Sequence, residues 1–215
     1  MIVAGPRRYP GAVATGGGEW TPGGDLRPGL LVCGRPRLLR RLDQLARRRL
    51  VTVVAPGGAG KTTVLREWAT RRHAAWHTLC PADRDPRVLC AALSAALGAV
   101  GLPTAGIEVS AGAPEALADR LRDALAAAAD RPVRLVLDDV QVLGAGPAAD
   151  LLAALVCRLP ADTVMVLASR EPVPFPLGSL RSTGRLGELG PRELAFTPAE
   201  TRRLLGAAGP AAADP

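Results

Sequence analysis

The chain has 215 residues, of which 48% are hydrophobic and only 3% aromatic. This length accommodates one α/β domain with a short tail, and its core must consist mainly of aliphatic side chains. No apolar run reaches the roughly eighteen residues that a membrane span needs, and no charged segment leads into an apolar one at the N-terminus, so we expect a cytoplasmic protein without a signal peptide or membrane contact.

The net charge of +7 is confined to the first 50 residues. Residues 1–50 contain ten Arg and three acidic residues, whereas residues 51–215 contain 17 cationic and 17 acidic residues. We interpret the excess as a solvated face, while a basic helix at 35–49 that grips nucleic acid stays open as an alternative. The four cysteines form no C-x-x-C pair, which predicts small buried residues rather than a zinc site or a disulfide framework.

Two different segments precede the first strand. Residues 1–29 contain clusters of Gly and Pro without periodicity, so we predict a disordered N-terminal extension. Residues 35–45 place Pro36 near a first helical turn and then leucines at helical spacing, at positions 38, 39, 42 and 45. This pattern predicts an amphipathic helix with one buried face.

Residues 51–63 (VTVVAPGGAGKTT) have the pattern of a buried strand, a glycine-rich turn and the start of a helix. The turn matches G-x-x-x-x-G-K-[ST] with Ala55 in place of the first glycine, a position that needs only a small side chain. Backbone N–H groups of such a turn point at an anion, and the helix N-terminus adds positive potential. The predicted phosphate-binding residues are Pro56, Gly57, Gly58, Ala59, Gly60, Lys61, Thr62 and Thr63. In this pattern Lys61 reaches the β- and γ-phosphates, and the Thr62 hydroxyl holds Mg²⁺.

Lys61 is the only lysine among the 27 cationic side chains of the chain. Arginine is a bulky planar fork, whereas lysine is a slim point charge that fits into a closed phosphate loop. The retention of a single lysine at this position therefore favours a phosphate-binding loop over a chance glycine turn.

Beyond the loop, apolar strands alternate with helices. Strands are predicted at 75–79, 133–139, 163–170 and 185–189, helices at 86–100, 115–129 and 148–159, and loops at 101–114 and 171–184. A further helix begins with Thr197 as cap, Pro198 at the first position and Glu200 closing a capping box. We therefore predict a P-loop NTPase fold of the α/β class, a three-layer α/β/α sandwich with a mostly parallel five-stranded sheet. It would occupy residues 30–190, with 191–215 as the start of a truncated helical or lid segment.

Charged residues follow two of the predicted strands at the edge where such sheets bind ligands. Asp138 and Asp139 end the strand at 133–139 and resemble a Walker B motif. Asp138 would hold Mg²⁺ together with Thr62, partly through water, and Asp139 would orient the attacking water. Arg170 ends the next strand, where we interpret it as a sensor of the γ-phosphate; a solvated charge at a strand end is the alternative.

The order of these blocks resembles the nucleotide-binding module of large LuxR-type, MalT-like transcriptional regulators, in the STAND class of signalling ATPases. The blocks that carry the resemblance are R-P-R-L-L-x-x-L at 35–42, the phosphate loop, A-W-H-T-L, L-V-L-D-D, L-A-S-R-x-P and L-x-F-T-P-x-E. The resemblance implies ATP and ADP as ligands, with catalytic roles for Lys61, Asp139 and Arg170. It also implies self-association in the ATP-bound form, slow hydrolysis as the reset, and contact with DNA only through domains absent from this chain.

We therefore expect an ATP-binding switch module of a transcriptional regulator. The alternatives from other classes are a stand-alone P-loop ATPase or kinase-like enzyme, and a DNA-binding protein that uses the basic 35–49 segment. The short 171–184 loop, which offers little room for an arginine-rich lid, and the Asp-Asp motif argue against a kinase. Salt-dependent DNA binding by this chain would favour the DNA-binding alternative.

Overall fold

The computed structural model describes residues 34–102, 113–127 and 132–207. The predicted extension at 1–29 lies outside the described residues, as do most of the predicted loop at 101–114 and the last two residues of the predicted helix at 115–129. The described helices are α1 (Pro36–Leu45), α2 (Lys61–Arg72), α3 (Pro86–Ala99), α4 (Pro114–Ala127), α5 (Pro147–Cys157), α6 (Gly178–Ser182), α7 (Pro191–Leu194) and α8 (Pro198–Ala207). The described strands are β1 (Leu50–Val54), β2 (Ala75–Thr78), β3 (Val133–Asp138), β4 (Thr163–Ser169) and β5 (Leu186–Leu189).

Within the described ranges, five strands form one sheet in the order β2-β3-β4-β1-β5. Every neighbouring pair is parallel. Val53 on β1, which lies between β4 and β5, is in register with Ala168 on β4 and with Leu189 on β5. The prediction of a mostly parallel five-stranded sheet is confirmed. Because all strands run the same way, their carboxyl ends lie at a single edge of the sheet.

The sheet is covered on both faces, which confirms the three-layer α/β/α prediction. On one face, alternate strand residues such as Val136 and Val166 pack with the leucines of α1 and with Trp68 of α2. On the other face, Leu135 and Met165 pack with α3, α4 and α5. Successive side chains of these strands thus point to opposite faces and are buried under helices on both, as in a sheet that helices cover on both sides.

Helix α1 approaches the sheet very closely at β5. A Cβ built on Gly187 would lie 3.1 Å from both the Cβ and the Cδ2 of Leu45, so a larger residue at this position would require Leu45 to move by a few tenths of an ångström. The helix is also held against α2, because Asp43 accepts hydrogen bonds from Trp68 Nε1 at 2.9 Å and from Arg72 at 2.6 and 2.9 Å. These contacts hold the C-terminal end of α1 against α2 and β5.

Four local predictions need correction. The predicted loop at 171–184 contains α6, a single turn that buries Leu180 against the sheet. The turn α7, at 191–194, was not predicted. The basic helix proposed for 35–49 ends at Leu45, because Leu50 must already enter the sheet as the first residue of β1. Among the described cysteines only Cys90 is buried, whereas Cys80 and Cys157 are exposed.

The predicted capping box at the start of α8 is present. The Thr197 Oγ1 accepts from the Glu200 N–H at 3.2 Å, and the Glu200 carboxylate accepts from the Thr197 N–H at 2.9 Å. None of the helices in the described part of the chain is long and apolar enough to cross a membrane.

Candidate functional site

The glycine-rich segment joins the end of β1 to the start of α2, as the sequence predicts. Gly58 and Gly60 adopt positive φ angles of 79° and 81°, a backbone conformation that residues with a side chain rarely adopt. Gly60 is the N-cap of α2, and Lys61 is the first helical residue. The N–H groups of the first helical turn have no partner within the helix and therefore favour an anion at this end.

Lys61 lies over the loop that precedes it. Its Nζ donates hydrogen bonds to the carbonyl oxygens of Ala55 at 2.6 Å and Pro56 at 3.1 Å. The residue is only 6% exposed. Burial lowers the pKa of Lys61, the charge of Asp138 opposes this shift, and that of Arg170 reinforces it. The loop therefore holds a partly desolvated cation that a negatively charged ligand would stabilise.

Thr62 and Asp138 are hydrogen-bonded although they are 76 positions apart in the sequence. The Thr62 hydroxyl donates to Asp138 Oδ2 at 2.7 Å, and the Asp139 N–H donates to Asp138 Oδ1 at 3.0 Å. Asp138 is 2% exposed, and burial raises its pKa despite these two hydrogen bonds. A hydroxyl and a carboxylate oxygen at this distance are hard oxygen ligands of the kind that Mg²⁺ uses, together with phosphate oxygens and water.

Asp139 follows directly in a left-handed backbone conformation, with φ of 58°. This conformation is uncommon for a residue with a side chain, and strained positions often lie at functional sites. Arg170 Nε lies 3.5 Å from Asp139 Oδ1, and the arginine side chain is 59% exposed. Two of the three predicted catalytic side chains, Asp139 and Arg170, therefore meet at the carboxyl ends of β3 and β4.

Gln141 joins these residues and was not predicted from the sequence. Its Nε2 donates to Asp139 Oδ1 at 2.8 Å, and its Oε1 accepts from the Arg170 N–H at 3.0 Å and from Ser169 Oγ at 3.2 Å. One amide thus ties the second acidic residue to the end of β4. The only local signal is a single polar residue between Val140 and Val142, in a short 3₁₀ turn at 140–143.

All predicted site residues therefore lie along the same edge of the sheet. Beside the phosphate loop, a cleft of about 300 Å³ opens between the ends of β1, β4 and β5. Its lining includes Val54, Pro56, Arg170, Gly190 and Pro191. Ligands of open parallel sheets bind outside the carboxyl ends of the strands, and this cleft has that position. Within the described residues, no cluster of three or more His, Cys, Asp or Glu side chains could hold a metal by itself.

The buried Asp138 carboxylate has a measurable consequence for stability. The pKa of Asp138 in the folded protein lies above the ordinary value of 3.8 that applies to the unfolded chain. Above the raised pKa, the ionised carboxylate therefore lowers the free energy of unfolding, whereas below the pKa of the unfolded chain it has no such cost. Asp138→Asn should therefore raise the melting temperature of the ligand-free protein at pH 7–8, and the gain should shrink as the pH falls through the raised pKa. The amide can still accept from the Asp139 N–H and donate to Thr62.

Thermal denaturation across pH 4–8 measures this difference, with the exposed Asp162→Asn as the control expected to change little. A melting temperature for Asp138→Asn that is below wild type at neutral pH would show that the carboxylate stabilises the fold instead.

Comparison with known proteins identifies related sequences over most of the chain. The family model of the AAA ATPase domain matches residues 32–167. The chain is 31% identical over 177 residues to the HTH-type transcriptional regulator MalT of Cronobacter sakazakii and 29% identical over 182 residues to MalT of Serratia proteamaculans. Each alignment covers 79% of this chain but only 20% of the relative. The chain thus spans about a fifth of the length of these relatives.

Solved structures share the fold at lower identity. A STAND signal-transduction ATPase with a tetratricopeptide repeat sensor from Pyrococcus horikoshii has a TM-score of 0.56 at 15% identity, covering 85% of this chain and 26% of that chain. A Walker-type ATPase of Pyrococcus abyssi has a TM-score of 0.59 at 17% identity, covering 85% of this chain and 60% of that chain. The predicted resemblance to MalT-like regulators is confirmed by the MalT alignments, and these two structures support the fold.

Proposed function

Because the chain belongs to the AAA ATPase domain family, we propose that it is a switch module that binds Mg-ATP and Mg-ADP and hydrolyses ATP slowly. The observation that carries the proposal is the buried Lys61 ammonium at the end of a loop whose two left-handed glycines lead into a helix N-terminus. A cation, oriented N–H groups and the positive end of a helix at one point are the features that bind nucleotide phosphates.

Thr62 and Asp138 fit a magnesium ion shared with the nucleotide. Their two oxygen atoms lie 2.7 Å apart, and Mg²⁺ binds through one or two protein oxygens while phosphate and water complete its octahedron. When bound, the ion would neutralise charge on the phosphates. Its binding would also replace the Thr62–Asp138 hydrogen bond and stabilise the ionised form of Asp138, whose pKa burial raises in the ligand-free protein.

We assign hydrolysis to Asp139, with Arg170 beside it and Gln141 as their positioning residue. Asp139 would orient the attacking water towards the γ-phosphate, and Arg170 would contact that phosphate. Gln141 holds the Asp139 carboxylate and the backbone of Arg170 in one geometry. Because only ATP has a γ-phosphate, this arrangement would let the module distinguish ATP from ADP.

We propose further that the module belongs to a MalT-like transcriptional regulator. The support is the sequence similarity to MalT proteins, whose name describes them as HTH-type transcriptional regulators. ATP would favour a self-associating form and hydrolysis would reset it, while contact with DNA would be made outside this chain. The basic segment at 35–49 gives less support to direct DNA binding, because Arg35, Arg37, Arg41, Arg48 and Arg49 are already bonded within the domain.

The lone lysine offers a direct test. An amine-directed acylating reagent can modify only the N-terminal amine and Lys61 on the untagged chain. Phosphate oxygens around Lys61 would favour its protonated, unreactive form and block access. At about 100 times the dissociation constant of Mg-ADP, we expect labelling of Lys61 to slow at least about tenfold. The N-terminal amine of the same molecule is the internal reference.

Peptide mass spectrometry measures the two sites separately. Adenosine, which has no phosphate, is the matched control and should leave the labelling of Lys61 unchanged. Equal labelling with and without saturating Mg-ADP would mean that Lys61 does not meet the phosphates, and the proposed function would be wrong.

A further inference from the structure

A group of charged side chains, the buried Arg35 and Glu200 and the partly exposed Arg37, holds the C-terminal part of the domain against its N-terminal helix. The Arg37 guanidinium donates from Nε and Nη2 to the two carboxylate oxygens of Glu200, both at 2.9 Å. Its Nη1 also donates to the Glu193 carbonyl oxygen at 2.6 Å. Paired hydrogen bonds between a guanidinium and a carboxylate are among the strongest polar contacts in proteins, and Glu200 is only 2% exposed. We call Arg35, Arg37 and Glu200 the arginine clamp.

Arg35 is the inner member of the arginine clamp. It is 5% exposed, donates to the carbonyl oxygens of Leu194 and Ala195, and lies 4.4 Å from the centre of the Phe196 ring. Its Nε is 3.8 Å from the Glu200 carboxylate. A single buried guanidinium is therefore held by the segment that joins α7 to α8 and by the charge of Glu200.

The same guanidinium also lies against the phosphate loop. Arg35 Nη1 lies 3.4 Å from the position that a Cβ on Gly60 would take, so the guanidinium lies beside the side of Gly60 that carries no side chain. Gly60 is the left-handed residue that ends the loop and precedes Lys61. The positive charge of Arg35 is therefore fixed beside the anion site. The carbonyl groups that hold it belong to residues about 160 positions later in the sequence.

We propose that Arg37 and Glu200 are positioning residues for the nucleotide site: they hold Arg35 against Gly60, so that bound nucleotide and the docked 194–205 segment stabilise each other. Arg35 would couple the two sites both sterically and electrostatically. Arg35 supports the loop at a left-handed residue whose conformation aims the N–H groups, and it adds a partly desolvated positive charge near the phosphates. Because coupling between two binding events is reciprocal, nucleotide should also tighten the docking of α8. This proposal rests on the proposed nucleotide binding.

The ionised state of Glu200 agrees with this arrangement. Burial alone would raise its pKa, but hydrogen bonds from Arg37 and from the Thr197 N–H, together with the charges of Arg37 and Arg35, lower it. The carboxylate is thus a charged anchor at neutral pH. Glu200→Gln removes that charge while an amide oxygen can still accept from the Thr197 N–H and preserve the capping box.

The test compares Glu200→Gln with two matched controls in the full chain. Thr197→Ala removes the other half of the same capping box without touching either arginine, and Arg41→Gln removes the exposed Arg41–Glu193 pair between the same elements. We expect Glu200→Gln to weaken binding of a fluorescent Mg-ADP analogue about fivefold or more, in the usual range of coupling between sites. Both controls should stay within about twofold of wild type, below that range.

Hydrogen exchange of the wild-type protein gives a second readout that needs no variant. Saturating Mg-ADP should slow amide exchange over residues 194–205, and this slowing should be absent in Glu200→Gln. The proposal is overturned by a dissociation constant for Glu200→Gln close to wild type, by an equal loss in Thr197→Ala, or by exchange of 194–205 that does not respond to nucleotide. Failure of the wild-type protein to bind Mg-ADP at all would instead overturn the proposed function.

Discussion

Lys61→Met is expected to abolish the stabilisation of the protein by nucleotide. A ligand that binds only the folded state at 100 times its dissociation constant contributes about 2.7 kcal/mol. For a chain of this size, that gain raises the melting temperature of the wild type by roughly 5–10 °C. Methionine has a similar length and shape but no charge, so the variant should show no shift in the same concentration of Mg-ATP or Mg-ADP, as differential scanning fluorimetry can measure.

The ligand-free melting temperature of Lys61→Met shows whether this loss is specific. Burial lowers the pKa of Lys61, which means that the folded protein disfavours the charged ammonium relative to the unfolded chain. At pH values below the lowered pKa the lysine is protonated in both states, so the cost is fully present there and removal of the charge should not lower the ligand-free melting temperature. A normal nucleotide shift in a well-folded Lys61→Met protein would contradict the phosphate-loop assignment.

Asp139→Asn is expected to separate nucleotide binding from hydrolysis. The substitution leaves Thr62 and Asp138 in place, so affinity for Mg-ATP should change by less than about twofold, whereas loss of a group that positions the attacking water should lower the single-turnover rate of ATP hydrolysis by about 10²-fold. The variant should therefore accumulate in the ATP-bound state. Release of radiolabelled phosphate measures the rate, and equilibrium fluorescence measures the affinity.

Gln141→Ala and Arg170→Ala are the companion variants for the same assay. Gln141→Ala frees the Asp139 carboxylate and should lower hydrolysis by about tenfold to 10²-fold, because small misplacements of catalytic groups have costs of this size. Arg170→Ala should reduce the preference for ATP over ADP. If Asp139→Asn hydrolyses ATP at the wild-type rate, the role of Asp139 is wrong. If Arg170→Ala weakens ATP and ADP equally, Arg170 has no sensor role.

The sequence by itself was sufficient for the parts of the protein that depend on neighbours in the chain. The phosphate loop is built from consecutive residues, and its left-handed Gly58 and Gly60 are positions where glycine is favoured whatever the surrounding fold. The capping box of α8 joins residues three positions apart and could be predicted for the same reason. Uniformly apolar strands alternating with helices indicated a parallel sheet covered on both faces.

Local patterns were insufficient where a short element is stabilised by the sheet it packs on. The turn α6 contains Gly178 and two serines and has low helical propensity, so it has the composition of a loop. It becomes helical because Leu180 is buried on the core.

Only the tertiary structure decided which distant residues meet. The strand order puts β3 and β4 side by side, and this placement lets Gln141 bond both Asp139 and the backbone of Arg170. The position of Arg35 beside Gly60 and its hydrogen bonds to the carbonyl groups of Leu194 and Ala195 likewise depend on how α1 and α7 pack around the end of β1. A periodic sequence pattern reports backbone hydrogen bonding over a few residues and which face is buried. Such a pattern contains no information on strand order. Because strand order decides which side chains can bond across neighbouring strands, those bonds could not be predicted from the pattern.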